Sequence, residues 1–205
     1  MAKAKTETAF AVELKRIPRD TVEINIVGTA PLIVNSWSEE AKRKMREKQQ
    51  GKKVPRTIRD PKAEYEAAMY RFSDGRHGFP LMAFKQATVE GGARLFGGEV
   101  KMTQLRQWLS FLSDGFSMDG IQLAEIKSDD PIMREDMVTV GQGKADLRYR
   151  PEYRNWSAML RIEFFPSVIS VGSIVALVDA GGTEGIGQWR PGKNGQFGTY
   201  RVKID

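Results

Sequence analysis

Between Gly185 and Gly198 the chain reads GIGQWRPGKNGQFG, five glycines interleaved with Trp189, Arg190, Lys193 and Phe197. Glycine lets a backbone approach a sugar-phosphate chain closely, cations neutralise that chain, and an aromatic ring stacks on a base. Two nucleotide-binding signatures come close here and fail. Gly187 to Lys193 follows a Walker A loop, but Asn194 stands where Ser or Thr would ligate magnesium, and a dinucleotide fingerprint begun at Gly185 would need glycine at Arg190. The loop also follows a helical pattern and precedes a strand, the reverse of a phosphate site at a helix N-terminus. The competing structural reading is a helix C-cap and a hairpin-like turn with Trp189 and Phe197 packed inward; for Phe197 that reading is the stronger.

Other chemistry is scarce. The chain has no cysteine and one histidine, His77, which excludes disulfides, thiolate metal sites and histidine-rich zinc sites and leaves a single imidazole base. Asp129, Asp130, Glu135 and Asp136 carry magnesium-type oxygens but lie beside Lys127 and Arg134 in a proline-containing segment, the pattern of solvated acids. No Ser/His/Asp signature and no cofactor motif is met, so no cofactor and no metal is expected. No run of about 18 apolar residues and no apolar stretch after the N-terminal lysines is present, so a cytoplasmic protein is expected.

Charge is concentrated. The net charge is +6, and the segment 38–62 holds ten cations against four carboxylates, an excess equal to that of the whole chain. Lys42, Arg43, Arg46, Lys52, Lys53, Arg56 and Arg59 are its candidate phosphate contacts. A second run, 144–156, alternates cations and aromatics through Arg148, Tyr149, Arg150 and Tyr153. Arg148 and Arg150 suit phosphate and Tyr149 suits stacking; alternatively these arginines pair with Asp146 and Glu152 while the tyrosines cap a sheet edge.

The elements that must position these residues follow from periodicity and caps. VEINIVG (22–28) alternates as a strand and runs into PLIV; Ser38 caps a helix polar nearly all round; Asp60-Pro61 opens another. A third helix spans 81–96, a short one lies near Leu105–Trp108, and IQLAEIK (121–127) reads as a strand. Residues 131–143 read as extended hairpin material, 156–164 as a strand, 171–179 as an apolar helix closed by Ala180-Gly181-Gly182, and 199–204 as a last strand. Without insertions the order is β(22–28), α(81–96), β(121–127), β(156–164), α(170–180), β(197–204). That defines an α+β class: a ferredoxin-like (RRM-like) βαββαβ core with large insertions, one domain over 1–205, a basic, largely helical insertion at 36–78 and a basic-aromatic one at 129–155. Such a sheet leaves one face open, a common platform for nucleic acid.

Three stretches in this order resemble the RAMP superfamily, the ferredoxin-fold CRISPR-associated proteins that include RNA-binding backbone subunits. They are TAPLIV (29–34), GFPLMAFKQATVEGGARL (78–95) and GIGQWRPGKNGQFGTYRVKI (185–204). The chain also resembles small proteins of tailed phages, which implies a stand-alone, phage-encoded relative. The resemblance implies that segments inserted after the first strand grip the nucleic-acid backbone and that copies assemble along it. It also implies a rival, since some RAMP nucleases use a histidine base without metal: an endoribonuclease built on His77. The reading carried forward is a non-catalytic binder of single-stranded RNA or DNA, homo-oligomeric along the strand, with Trp189 and Tyr149 stacking and Arg190 and Lys193 joining the phosphate contacts. A further alternative is a phage structural or inhibitor protein whose basic helix binds an acidic protein partner.

Overall fold

A computed structural model describes residues 16–52, 58–140 and 143–204. The central sheet has the order β10-β1-β9-β4, built from β1 (Asp20–Gly28), β4 (Leu109–Leu112), β9 (Ser157–Phe164) and β10 (Tyr200–Val202), and every neighbouring pair is antiparallel. In chain order the fourth core strand therefore lies outside the first, and the third lies between the first and second, which is the ferredoxin-like arrangement. Strand alternation decides what each face meets. Ile24, Ile26, Ala158, Leu160, Ile162 and Phe164 are buried on one face, where α3 (Leu81–Leu95) and α5 (Val171–Glu184) cover them.

The two helices meet through small residues. A Cβ placed on Gly91 would lie 2.6 Å from the Ala180 carbonyl oxygen, and one on Gly181 would lie 2.8 Å from the Thr88 backbone nitrogen. Glycine at 181 and 182 therefore does not end α5, as its turn-forming habit suggests in the sequence; the helix continues to Glu184 and uses both glycines for close approach. Its cap is Gly185, at φ +68°.

The second core strand also differs from the sequence expectation. Leu109–Leu112 follows directly on the short helix α4 (Met102–Trp108) and pairs with β9, placing Leu109 opposite Phe164. The 121–127 segment, expected in the core sheet, instead supplies β6 (Gln122–Glu125), flanked by β3 (Gly78–Pro80) and β5 (Gly115–Phe116) in a separate small sheet. Its Leu123 and Ala124 are buried.

A third sheet, β2-β8-β7, carries the projecting features. β7 (Ile132–Val140) and β8 (Lys144–Tyr153) form a long hairpin, and β2 (Leu32–Ile33) joins β8 at Tyr153 and Glu152. The rest of the β8 edge is covered by α2 (Pro61–Ala67), whose Asp60 side chain caps Lys62 and Ala63. Arg59 donates to the Leu147 carbonyl on that edge, and Tyr65 donates to the Pro131 carbonyl just before β7. The polar helix α1 (Glu39–Gln49), capped by Ser38 as its sequence suggests, buries no residue. No helix among the described residues is long and apolar enough to cross a membrane.

Candidate nucleic-acid interface

The open face of the central sheet carries Glu23, Asn25, Met159, Arg161, Glu163 and Arg201, with no aromatic ring from its four strands. Its charges are mixed and paired, as Arg19 with Glu163 and Arg161 with Asp114. An RRM-style stacking platform needs exposed rings there, so the cation-rich chemistry has to come from the hairpin and loops.

The hairpin and the glycine-rich loop meet on one face. Arg134 stands directly opposite Arg150 across the β7–β8 ladder. Arg134 donates from Nε to Asp136 Oδ1 (2.7 Å) and from Nη1 to Glu152 Oε2 (3.0 Å), while Arg154 donates to Glu152 Oε1 (2.7 Å). The Arg134 guanidinium lies 5.5 Å from the Trp189 ring centroid and 4.9 Å from that of Phe197; Arg150 lies 4.7 Å from Trp189. The two rings are 6.4 Å apart and tilted. Three guanidiniums thus serve two carboxylates and a pair of rings, and the loop is held on the hairpin by cation–π contact in a partly desolvated site. Burial pushes the Glu152 carboxyl up, but hydrogen bonds from Arg154 and Arg134 outweigh it and hold the pKa below the ordinary value.

This packing bears on two of the candidate site residues. Arg150 is only 7% exposed, with Nε and Nη1 buried and unpartnered beside an equally unpartnered Asp136 Oδ2, so it is a buried prop under Trp189 rather than a surface phosphate contact. Burial lowers its pKa from the arginine norm, with the Asp136 charge opposing. Trp189 is half-buried, carries two guanidiniums at its ring and holds φ at +49°, a strained value for a bulky residue, so it anchors the loop on the hairpin. Phe197 is half-buried against it.

The loop's glycines are also accounted for within the protein. Its backbone folds back on itself, with the Phe197 N–H donating to the Trp189 carbonyl, and a Cβ on Gly195 would lie 1.8 Å from that oxygen. A short 3-10 turn (Pro191–Lys193) leaves Lys193 exposed and Arg190 half-buried, the latter donating to the Gly187 carbonyl.

The remaining cations form two groups. Arg59 joins the hairpin: it pairs with Glu64 and Asp146 and sits over Tyr149 at 5.9 Å. Arg148, about half exposed, pairs with Asp146 as well. The helix α1 stands by the β5–β6 turn instead, because Lys42 is tied to Asp119 (2.6 Å) and to Glu39. Arg43 pairs with Glu47 and Arg46 reaches Glu39, both with exposed side chains, and Lys52 is exposed. Lys53 and Arg56 lie outside the described residues. The hairpin pairings realise much of the structural alternative for the 144–156 run, with Arg148 on Asp146, Arg154 on Glu152 and Tyr153 buried against the sheet.

His77 occupies an internal pairing. Its Nδ1 lies 2.8 Å from the hydroxyl of the buried Tyr153, and Arg71 Nη1 lies 3.5 Å from Nε2. Burial, then the Arg71 charge, lowers its pKa below the ordinary 6.5. A depressed folded value means that the unfolded chain binds the proton first. The contribution to stability is complete above the ordinary histidine pKa and is lost as pH falls through the folded one. Urea midpoints measured from pH 7.5 down to 5 are expected to fall more steeply for the wild type than for His77→Gln; parallel profiles would contradict this.

Of the four acids read from the sequence as solvated, Asp136 is instead buried on β7 and paired with Arg134, and Asp129 accepts from the Asn155 amide; no cluster of metal ligands occurs among the described residues.

Fold and packing together define an α+β protein with a ferredoxin-like core, elaborated by a cation-rich hairpin, a basic helix and a glycine-rich terminal loop. No family model and no curated protein sequence matches the chain. Among solved structures it is similar to a chain of the Type III-B Cmr-beta bound to cognate target RNA, with TM-score 0.54 and 7% identity over 91% of this chain. The match spans 59% of that chain's length. It is also similar to Cmr6 from Pyrococcus furiosus, with TM-score 0.46 and 8% identity, covering 92% of this chain and 100% of that one.

Proposed function

We propose that the protein binds single-stranded nucleic acid, RNA or DNA, through the phosphate backbone, without cleaving it, and that copies line up along the strand. The observation that carries this reading is the lock between hairpin and terminal loop: Arg134 and Arg150 against Trp189 bring Arg148, Arg190 and Lys193 into neighbouring segments of one surface. Arg59 reaches the hairpin edge at Asp146, Tyr149 stands on the opposite face of β8 from Arg148 and Arg150, and Arg43, Arg46 and Lys52 supply further cations on α1 and just beyond it. The fold shared with a chain of an RNA-bound complex is support by analogy of fold alone; the site's own chemistry carries the reading.

Cations already paired with carboxylates on the surface lose little by exchanging them for phosphate, since such exposed pairs contribute only about 0–1 kcal/mol each. Released counterions then provide the driving force. His77, bound to Tyr153, is structural in this reading.

Purification from cells without nuclease treatment tests it. Co-purifying nucleic acid is expected, seen as a 260/280 absorbance ratio well above that of clean protein and lost after a high-salt wash. A ratio typical of protein alone at low salt would favour an acidic protein partner for the basic helix.

A further inference from the structure

An aromatic side chain outside both cation-rich runs is placed for contact with a ligand. Trp37 precedes the cap of α1 and is pinned on both sides: the Ser36 N–H donates to the Ala68 carbonyl (2.8 Å), and the Ser38 hydroxyl caps Ala41. The residue is nevertheless 54% exposed. A hydrophobic residue at this position ordinarily staples to an apolar side chain at the fourth position of the helix. That position is Lys42, whose amine is drawn away to Asp119 and Glu39. The fourth position is thus charged rather than apolar, and more than half of the Trp37 surface stays open to solvent.

What Trp37 does line is a groove of about 480 Å³ between α1 and the β5–β6 turn. Met45, itself 45% exposed, adds a second apolar, polarisable surface. The rim is polar and mixed: Gln49 offers both a donor and acceptor, Asp119 an acceptor. Arg46, with a side chain 65% exposed, lines this groove and also the adjoining one on α1, where Arg43 and Lys52 lie. An apolar floor with a hydrogen-bonding rim, opening past Arg46 into a groove where Arg43, Arg46 and Lys52 stand among Glu39, Glu40 and Glu47, matches a nucleotide: flat base, polar base edge, and a phosphate that takes the place of a carboxylate on its cation partners.

We propose that Trp37 is a base-stacking platform of the basic helix, holding one nucleobase of a bound single strand against Trp37 and Met45 while its phosphate runs past Arg46 toward Arg43 and Lys52. This rests on the nucleic-acid reading above and adds a base-dependent contact to it. The α1 area becomes a second anchoring point for the strand, apart from the hairpin and terminal loop.

The test compares two labelled 12-mers by fluorescence anisotropy on the full chain: a uridine or thymidine oligonucleotide, whichever binds tighter, and an abasic phosphodiester of equal length and charge. Trp37→Ala is expected to weaken binding of the base-bearing strand by about 5- to 150-fold. Binding of the abasic strand should stay unchanged, and Trp37→Phe, which keeps a ring, should retain most of the affinity. Unchanged thermal midpoints show that both variants are folded, and the abasic strand serves as an internal control in the same sample. Equal losses on both strands, or no loss on the base-bearing one, overturn the proposal while leaving phosphate binding intact. A wild type that binds neither strand overturns the nucleic-acid reading and this proposal with it.

Discussion

Gly182→Ala is expected to destabilise the fold by about 3 kcal/mol or more, although alanine is the better helix former by about 1 kcal/mol. A Cβ at this position would lie 1.8 Å from the Tyr200 carbonyl oxygen and 2.7 Å from its carbon. Both are backbone atoms, so no side chain can rotate away, and β10 must move. That strand is only three residues long and closes one edge of the central sheet. Its Tyr200, 3% exposed, packs against Trp156 and Phe84, so displacement loosens the core as well as the edge. The opposing terms are unequal: the propensity gain is local, whereas the clash is paid by a sheet edge and a buried aromatic cluster. A fall in the urea midpoint with unchanged cooperativity is the expected measurement; a midpoint equal to or above that of the wild type would show that α5 and β10 are not packed in this way.

The second large effect is electrostatic. The triple variant Arg148→Ala, Arg190→Ala, Lys193→Ala should lose about a hundredfold in affinity for a single-stranded 30-mer near 0.1 M salt. Each phosphate contact on a single strand contributes roughly 0.7 decade of affinity per decade of salt below 1 M, and three such contacts amount to about two decades. Folding should change little, because the three side chains are half-buried or exposed and the lock on Trp189 is made by Arg134 and Arg150, which stay in place. An affinity within twofold of the wild type would place the contacts elsewhere.

Much of this architecture is legible in the chain, and the exceptions share a cause. Ser38 and Asp60-Pro61 announce their helices through caps that act within three residues, and the alternation of 157–164 announces β9. Local chemistry suffices there. It fails at the second core strand, where both LSFL and IQLAEIK can make strands and only pairing with distant partners decides between them: β9 takes Leu109–Leu112, while β3 and β5 take Gln122–Glu125. Gly181-Gly182 carries the signal of a helix end, yet the requirement of α5 to approach α3 and Tyr200 keeps the helix going.

The interface divides in the same way. Arg59, Arg148, Tyr149, Arg190 and Lys193 are picked out by charge and spacing and fall on the hairpin, the segment beside it and the terminal loop. The burial of Arg150 is invisible locally, because what covers it is Trp189, about 40 residues further on. Arg134, which ties the acids to both rings, reads in sequence only as a neighbour of Asp136; its alternation with Asp136 on one strand face is the signal that could have found it. Trp37 stands one residue before the cap of the basic helix, just outside the charge run that draws attention.

Binding of the wild-type chain to a labelled 30-mer at 50, 100 and 200 mM salt tests the central claim most directly. A straight, steep decline of log affinity against log salt, flattened in the triple variant by about two units of slope, is the result predicted. An affinity that holds constant across this range would contradict a protein that works by gripping phosphates.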